Sequence, residues 1–424
     1  MKNILFVLTL ALCVTTTCMG QNNLQAYMAS AREAYKAKDS KKFYEMILEA
    51  HKLHPYHQGV LYNAGLAAAL NAQAKEAIDF LTRAIHIRAD YNLEVEDLSS
   101  LQPLPEFAAL KKLQRSLQEN VQHSDTAFIV HQKTLHIESI ATGERAGIFY
   151  LGSIHRRKII RADEKGNVTD FTASEQDGLT SVFGVKVDAK KNVLWACTSP
   201  MPEMENFDTT LTSALFKYDL KTKKLLAKYS PESKGEHAFG DLVLDRNGNP
   251  YVSDSKTNTI FAVDLKRGLV PFFTSDQFWN IQGITFSDDG KFLFIADYVK
   301  GIFRLTVADK SLIQLSADFQ TSLKSIDGLT FYKNSLIAIQ NLIFPMRSTI
   351  YQLNDAQDKL VSFTIIDRAH PAFNEPTIGC IADDKFYYVA NSLWSGYTED
   401  RKLKPESELQ NVVILKADLK ALTK

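Results

Sequence analysis

The sequence predicts a multidomain chain of α and β structure, a short α-helical domain followed by a six-bladed β-propeller. Three observations predict it. A helical pattern repeats at an offset of 34 residues between residues 24 and 91. From about residue 125 that pattern gives way to short alternating runs rich in Phe, Tyr, Val and Ile. One strand–turn–strand template then recurs, beginning at residues 138, 183, 240, 282, 327 and 378.

The chain opens as a signal peptide over residues 1–20. Lys2 supplies the positive start, Ile4 to Val14 is an apolar run too short to span a bilayer, and Cys18-Met19-Gly20 ends in small residues before a cut. Gln21 is then the mature N-terminus. Thr15-Thr16-Thr17 is a poor lead-in for lipid attachment, so anchoring at Cys18 is the lesser alternative. No later apolar run reaches the length of a bilayer span. The expectation is a periplasmic or secreted protein with no transmembrane segment.

The 49 basic and 49 acidic side chains cancel. That balance leaves no electrostatic footprint for nucleic acid. Of four cysteines, Cys13 and Cys18 leave with the leader. Cys197 and Cys380 lie in strand-like runs of different repeats, which favours two buried free thiols over a disulfide. No Cys/His spacing of a zinc site is present.

The helical domain is expected over 21–122. Its two units superpose Ala31 on Gly65, Ile47 on Leu81 and Ala50 on Ala84, and Pro55 closes the first. Small residues at such places let helices approach, and the larger ones fill the space between them. Period and pattern resemble the tetratricopeptide repeat, although Phe43 stands where a small residue is expected. A further helix beginning at Pro105 caps the pair. Two repeats share little core, so a packing module is favoured over a peptide-binding groove, with a protein partner as the functional alternative.

The propeller is expected over 125–422. Template starts spaced by 42 to 57 residues suit one four-stranded sheet per repeat. Thr126-Ala-Phe-Ile-Val130 is placed to complete the last blade and close the ring, which removes exposed sheet edges. Gly184, Gly283, Gly328 and Gly379 follow the template's first residue, where inner strands crowd the axis. The residue before each should lie at the mouth of the central channel. That column reads Glu138, Phe183, Gly240, Gln282, Asp327 and Ile378, with His136, Asp241, Asn341, Glu375 and Asn391 as neighbours.

Phe239-Gly240-Asp241, Ile281-Gln282-Gly283 and Ile326-Asp327-Gly328 resemble the repeat signatures of the senescence-marker-protein/gluconolactonase family, which includes regucalcin-type lactonases; strictosidine synthase-like propellers are similar. The resemblance covers roughly 130–420. It implies a divalent cation, calcium or zinc, at the channel mouth, held by a Glu, two Asn and an Asp. Glu138 matches the Glu and Asp327 the Asp. Gln282 stands in place of one Asn and Gly240 in place of the other, with Asp241 matching the Asp that follows it. The implied metal ligands are therefore Glu138, Gln282 and Asp327, with one ligand missing.

A hard cation takes carboxylate, amide and water oxygens. Without one, two carboxylates in a narrow mouth repel and a pKa rises. With one, a lactone carbonyl is polarised, and Asp241 or Asp327 serves as general base. The substrate is then a small lactone or ester. The alternative is a non-catalytic ligand- or protein-binding scaffold with a vestigial metal site.

Other candidates carry plainer readings. His155-Arg-Arg-Lys158 reads as a solvated blade turn. Asp254, Asp297, Asn341 and Asn391 recur at one template position and read as turn caps. Trp279, Trp394 and Tyr397 read as packing residues, with a carbohydrate-binding mouth as the functional alternative.

Overall fold

The computed structural model of the protein describes residues 19–233 and 235–423. The predicted leader, with Cys13 and Cys18, lies outside the described residues except for Met19 and Gly20, which begin the first helix. The chain divides into two compact units. One is helical and runs to Ile85 and again over Tyr91–Lys112; the other comprises His86–Asp90 and everything from Leu113 onward. No helix among the described residues is long and apolar enough to cross a membrane.

Five helices carry the N-terminal region: α1 Met19–Lys36, α2 Ser40–Leu53, α3 Gln58–Leu70, α4 Ala74–Ile87 and α5 Pro105–Gln118. Asp39 caps α2 by accepting the Lys42 N–H at 3.0 Å. The paired positions are buried: Ala31, Ile47, Ala50, Leu81 and Ala84 are each at most 1% exposed. Gly65 shows why a small residue is needed, since a Cβ there would come within 2.5 Å of Leu81 Cγ. Phe43, the misfit, is also buried and packs on Tyr35 at 5.2 Å between ring centroids.

The second unit is a six-bladed propeller. Four blades are consecutive four-stranded meanders, with innermost strands Ile137–Thr142, Ser181–Asp188, Phe239–Leu244 and Ile281–Phe286. The fifth blade starts at Ile326–Tyr332 and ends at Lys359–Arg368. It also takes on two short outer pieces, Ser316–Ala317 in parallel and Val121–Gln122 antiparallel, and sequence reading found neither. The sixth blade starts at Gly379–Ala382, and Ser124–Val130 pairs with Val412–Asp418 to complete it. Ring closure therefore uses the segment that the sequence offered for it.

The core is divided between the blades. Phe149 and Tyr387 meet where the sixth blade faces the first, Phe171 and Tyr218 where the first faces the second, and Phe294 and Phe331 where the fourth faces the fifth. Each layer removes aromatic and branched side chains of two neighbouring sheets from water. At Gly283 an added Cβ would lie 2.6 Å from Asp327 O and Leu329 N, backbone atoms of the next blade. Cys197 and Cys380 are free thiols.

Candidate functional site

Five of the six innermost strands carry a register shift at the same place. It falls between Ile137 and Ser139, Val182 and Gly184, Phe239 and Asp241, Ile281 and Ile284, and Ile326 and Gly328. The residues inside the shifts are Glu138, Phe183, Gly240, Gln282 with Gly283, and Asp327. A bulge leaves one residue out of the ladder and re-aims its side chain. Ile378 reaches the equivalent place by lying just before the sixth blade's first strand.

All six column residues line one cavity of about 350 Å³. Asn341, Glu375 and Thr377 line it too, and Met201, Leu342, Trp394 and Phe183 make an apolar wall. Asp241 is not among the lining residues. Its carboxylate accepts N–H bonds from Leu242 at 2.8 Å and from Ile284, in the next blade, at 3.2 Å, and Lys186 Nζ stands 4.0 Å away. Oδ1 is held within the third blade and Oδ2 ties that blade to the fourth, which leaves Asp241 poorly placed as a base.

Three carboxyls converge on the cavity. Glu138 accepts a hydrogen bond from the Trp394 indole N–H. Asp327 accepts one from Asn341 Nδ2 at 3.0 Å, and Asn341 Oδ1 in turn accepts from the Tyr298 hydroxyl at 2.6 Å. Burial pushes both carboxyls well above the usual range, and the Glu138 charge adds to the rise at Asp327. The Thr377 hydroxyl lies near enough to both to oppose that rise, although it stands at hydrogen-bonding geometry to neither. Glu375 is pushed up to about 7 by burial, then by the charges of Glu138 and Asp327. Its Oε2 is buried with no hydrogen-bond partner.

The amide pair departs from the implied ligand set in a compensating way. Gln282 Oε1 lies 3.1 Å from where a Cβ of Gly240 would be. The longer side chain occupies the space that the missing one vacates. Its NH2 donates to Asn280 Oδ1 at 2.5 Å, which leaves the amide oxygen toward Gly240. The donors are carboxylate, amide and hydroxyl oxygens, with orphaned atoms on Glu375 and Thr377, and that set fits a hard cation. Among the described residues no three His, Cys, Asp or Glu side chains form a ready-made cage.

Sequence reading missed Tyr298. The strand register shows the signal that was available. Thr198, Asp254, Asp297 and Gln340 are equivalent, each paired with the residue before its bulge. One place further on stand Ser199, Ser255, Tyr298 and Asn341, and all four line the cavity. Asn341 therefore belongs to the lining row, beside the column where the sequence also sets it, and not to the capping row one position before. Asp297 does cap, accepting N–H bonds from Trp279, Asn280, Val299 and Lys300.

Three more candidates lie off the cavity. His136 is fully buried, with Nδ1 2.8 Å from the Tyr397 hydroxyl. Asn391 bonds the Asn411 carbonyl and the Val413 N–H. Trp279 carries the Lys300 ammonium 4.8 Å from its ring centre. The expected solvated turn at 155–158 is instead an ion-paired cluster. Arg157 is 4% exposed and 3.1 Å from Glu175, and Arg156 pairs with Glu205.

No protein-family model matches the chain, and no curated protein is similar enough to count as a relative. Among solved structures, a gluconolactonase from Xanthomonas campestris is similar at 13% identity with a TM-score of 0.46, over 70% of this chain and 97% of that one. A likeness so remote says nothing about chemistry.

Proposed function

We propose that this protein is an exported hydrolase of a small lactone or ester, acting at the channel mouth with a divalent cation bound by Glu138, Asp327 and the Gln282 amide oxygen. The observation that carries the reading is the meeting of Glu138, Asp327 and Glu375 in one cavity, two of them raised by a neighbour's charge as well as by burial. Buried like charges of this kind call for a counter-charge or a proton. A bound cation supplies Lewis acidity toward the substrate carbonyl.

The chain's own residues divide the remaining work. Trp394 and Asn341 each donate to one carboxylate and hold it in place. Glu375, with a buried oxygen that has no hydrogen-bond partner, takes the proton from an attacking water, the role for which the sequence offers Asp241 or Asp327. The apolar wall of Phe183, Met201, Leu342 and Trp394 suits a substrate with one hydrophobic face.

The test is cation binding and lactone opening by the mature protein, with and without chelator. Glu138→Gln is expected to weaken calcium or zinc binding and to lower chelator-sensitive kcat/KM by about 100-fold or more. Full activity in that variant, or no cation binding by the wild type, sinks the reading.

A further inference from the structure

The third blade carries an arrangement that the channel-mouth chemistry does not use. Ser233 Oγ lies 2.7 Å from His237 Nε2, and His237 Nδ1 lies 2.6 Å from Asp254 Oδ2. We propose that Ser233, His237 and Asp254 form a nucleophile–base–orienter relay that cleaves carboxylic esters through an acyl-serine, independently of any cation.

The geometry fixes the roles. Asp254 is 0% exposed, and its carboxylate also accepts from the Ala238 N–H at 2.9 Å, the Lys256 N–H at 3.0 Å and the Thr257 hydroxyl at 2.7 Å. A carboxylate ringed by donors has only an acceptor place left for the imidazole, so Nδ1 carries the proton and donates. Nε2 then presents its lone pair to the Ser233 hydroxyl, as a general base must. The ring is held from its sides, edge-on to Phe261 at 5.6 Å and tilted against Phe239 at 6.1 Å. The side chain of His237 is 6% exposed, whereas Ser233 is open to solvent. The nucleophile is therefore reachable and the base is sheltered.

The fourth blade sharpens the point. Asp297 is equivalent to Asp254 in the strand register and caps backbone N–H groups alone. Turn capping needs no imidazole there, so in the third blade the His237 ring, with a serine on its far nitrogen, is an addition to the cap. Ala238 and Ser255, the sequence neighbours of His237 and Asp254, line the cavity, whereas the three relay residues do not, so the relay is separate from the channel-mouth site.

In the first step Ser233 Oγ bonds to the acyl carbon and its proton passes to His237 Nε2. The ester C–O bond then breaks, and the imidazolium returns that proton to the departing alcohol. Water next attacks the acyl-serine, giving its proton to Nε2, and the acid leaves as Ser233 recovers the proton. One water and one ester yield one acid and one alcohol, with no oxidant or reductant.

The test is a small fluorophosphonate, incubated with the full chain in chelator and followed by intact and peptide mass, alongside p-nitrophenyl acetate turnover. One adduct is expected at Ser233, with a burst of nitrophenol. Ser233→Ala, a change on an exposed loop, should abolish the adduct. His237→Gln should slow adduct formation by about 10²–10⁴-fold. Absence of a Ser233 adduct on the folded wild type, or an equal rate in His237→Gln, overturns the proposal. Because chelator is present throughout, failure here leaves the cation-dependent reading standing, and failure of that reading leaves this one standing.

Discussion

Two sets of acids, one fully buried and one buried to half-buried, occupy the same ring and are treated differently by it. Asp254 and Asp297 are 0% exposed, and each has four donors: two backbone N–H groups, a hydroxyl and an imidazole for Asp254, and four backbone N–H groups for Asp297. Glu138 and Asp327 at the channel mouth each have one side-chain donor in hydrogen-bonding geometry, and Glu375 has an oxygen with none. Burying a charge is costly unless hydrogen bonds or a partner compensate it. The first set is compensated locally and holds loops. The second is left in deficit, and a deficit of this kind marks a place where a ligand or a proton belongs.

The contrast can be broken from either side. Asp297→Ala should be the most damaging change, because it strands four N–H groups at once. A loss of about 3–5 kcal/mol is expected in denaturant unfolding. A loss under 1 kcal/mol would mean that water replaces the carboxylate without penalty, and the contrast would collapse.

Glu375→Gln should do the opposite. The folded protein holds the Glu375 proton up to about 7, against a reference of 4.5. Stability from this group is therefore full below about 4.5 and is lost as pH climbs to about 7. The variant should match the wild type at pH 4 and exceed it at pH 8 by roughly 1–3 kcal/mol, without added cation. Saturating calcium should shrink that advantage if the wild-type carboxyls bind it. An advantage over the wild type that is no larger at pH 8 than at pH 4 refutes the deficit.

Gly240→Asn should have the smallest effect on the fold. Its side chain meets only the tip of the flexible Gln282, so a change within about 1 kcal/mol is expected. Paired with Gln282→Asn, it restores two amide oxygens of normal reach, and calorimetry should show tighter cation binding. Unchanged affinity in the double variant would show that the carboxylates alone set the site.

How much of this was legible depends on the range of the interaction. The six-fold template, the closing segment at Thr126–Val130 and the column from Glu138 to Ile378 follow from local alternation and turn chemistry, and all were readable. Asn341 is offered by the sequence both as a mouth neighbour and as a turn cap, and strand pairing across the Ile326–Gly328 bulge decides for the mouth. Arg157 reads as solvated until Glu175 and the loop after Ser199 are folded over it. Tyr298 carries no motif of its own and is found only once strand pairing sets it in the lining row, where its hydroxyl bonds Asn341.

The sequence by itself determined the propeller and most of the channel-mouth column, because side-chain alternation, turn residues and repeat length are written in contiguous stretches of chain. Only the tertiary structure decided which acids are compensated. That choice set Asp241 into a clamp between blades, left Glu375 with a bare oxygen beside Glu138 and Asp327, and set Ser233 against His237 and Asp254. The physical reason is that desolvation and hydrogen-bond supply depend on neighbours brought from far along the chain, and no local pattern encodes how many donors a buried carboxylate will find.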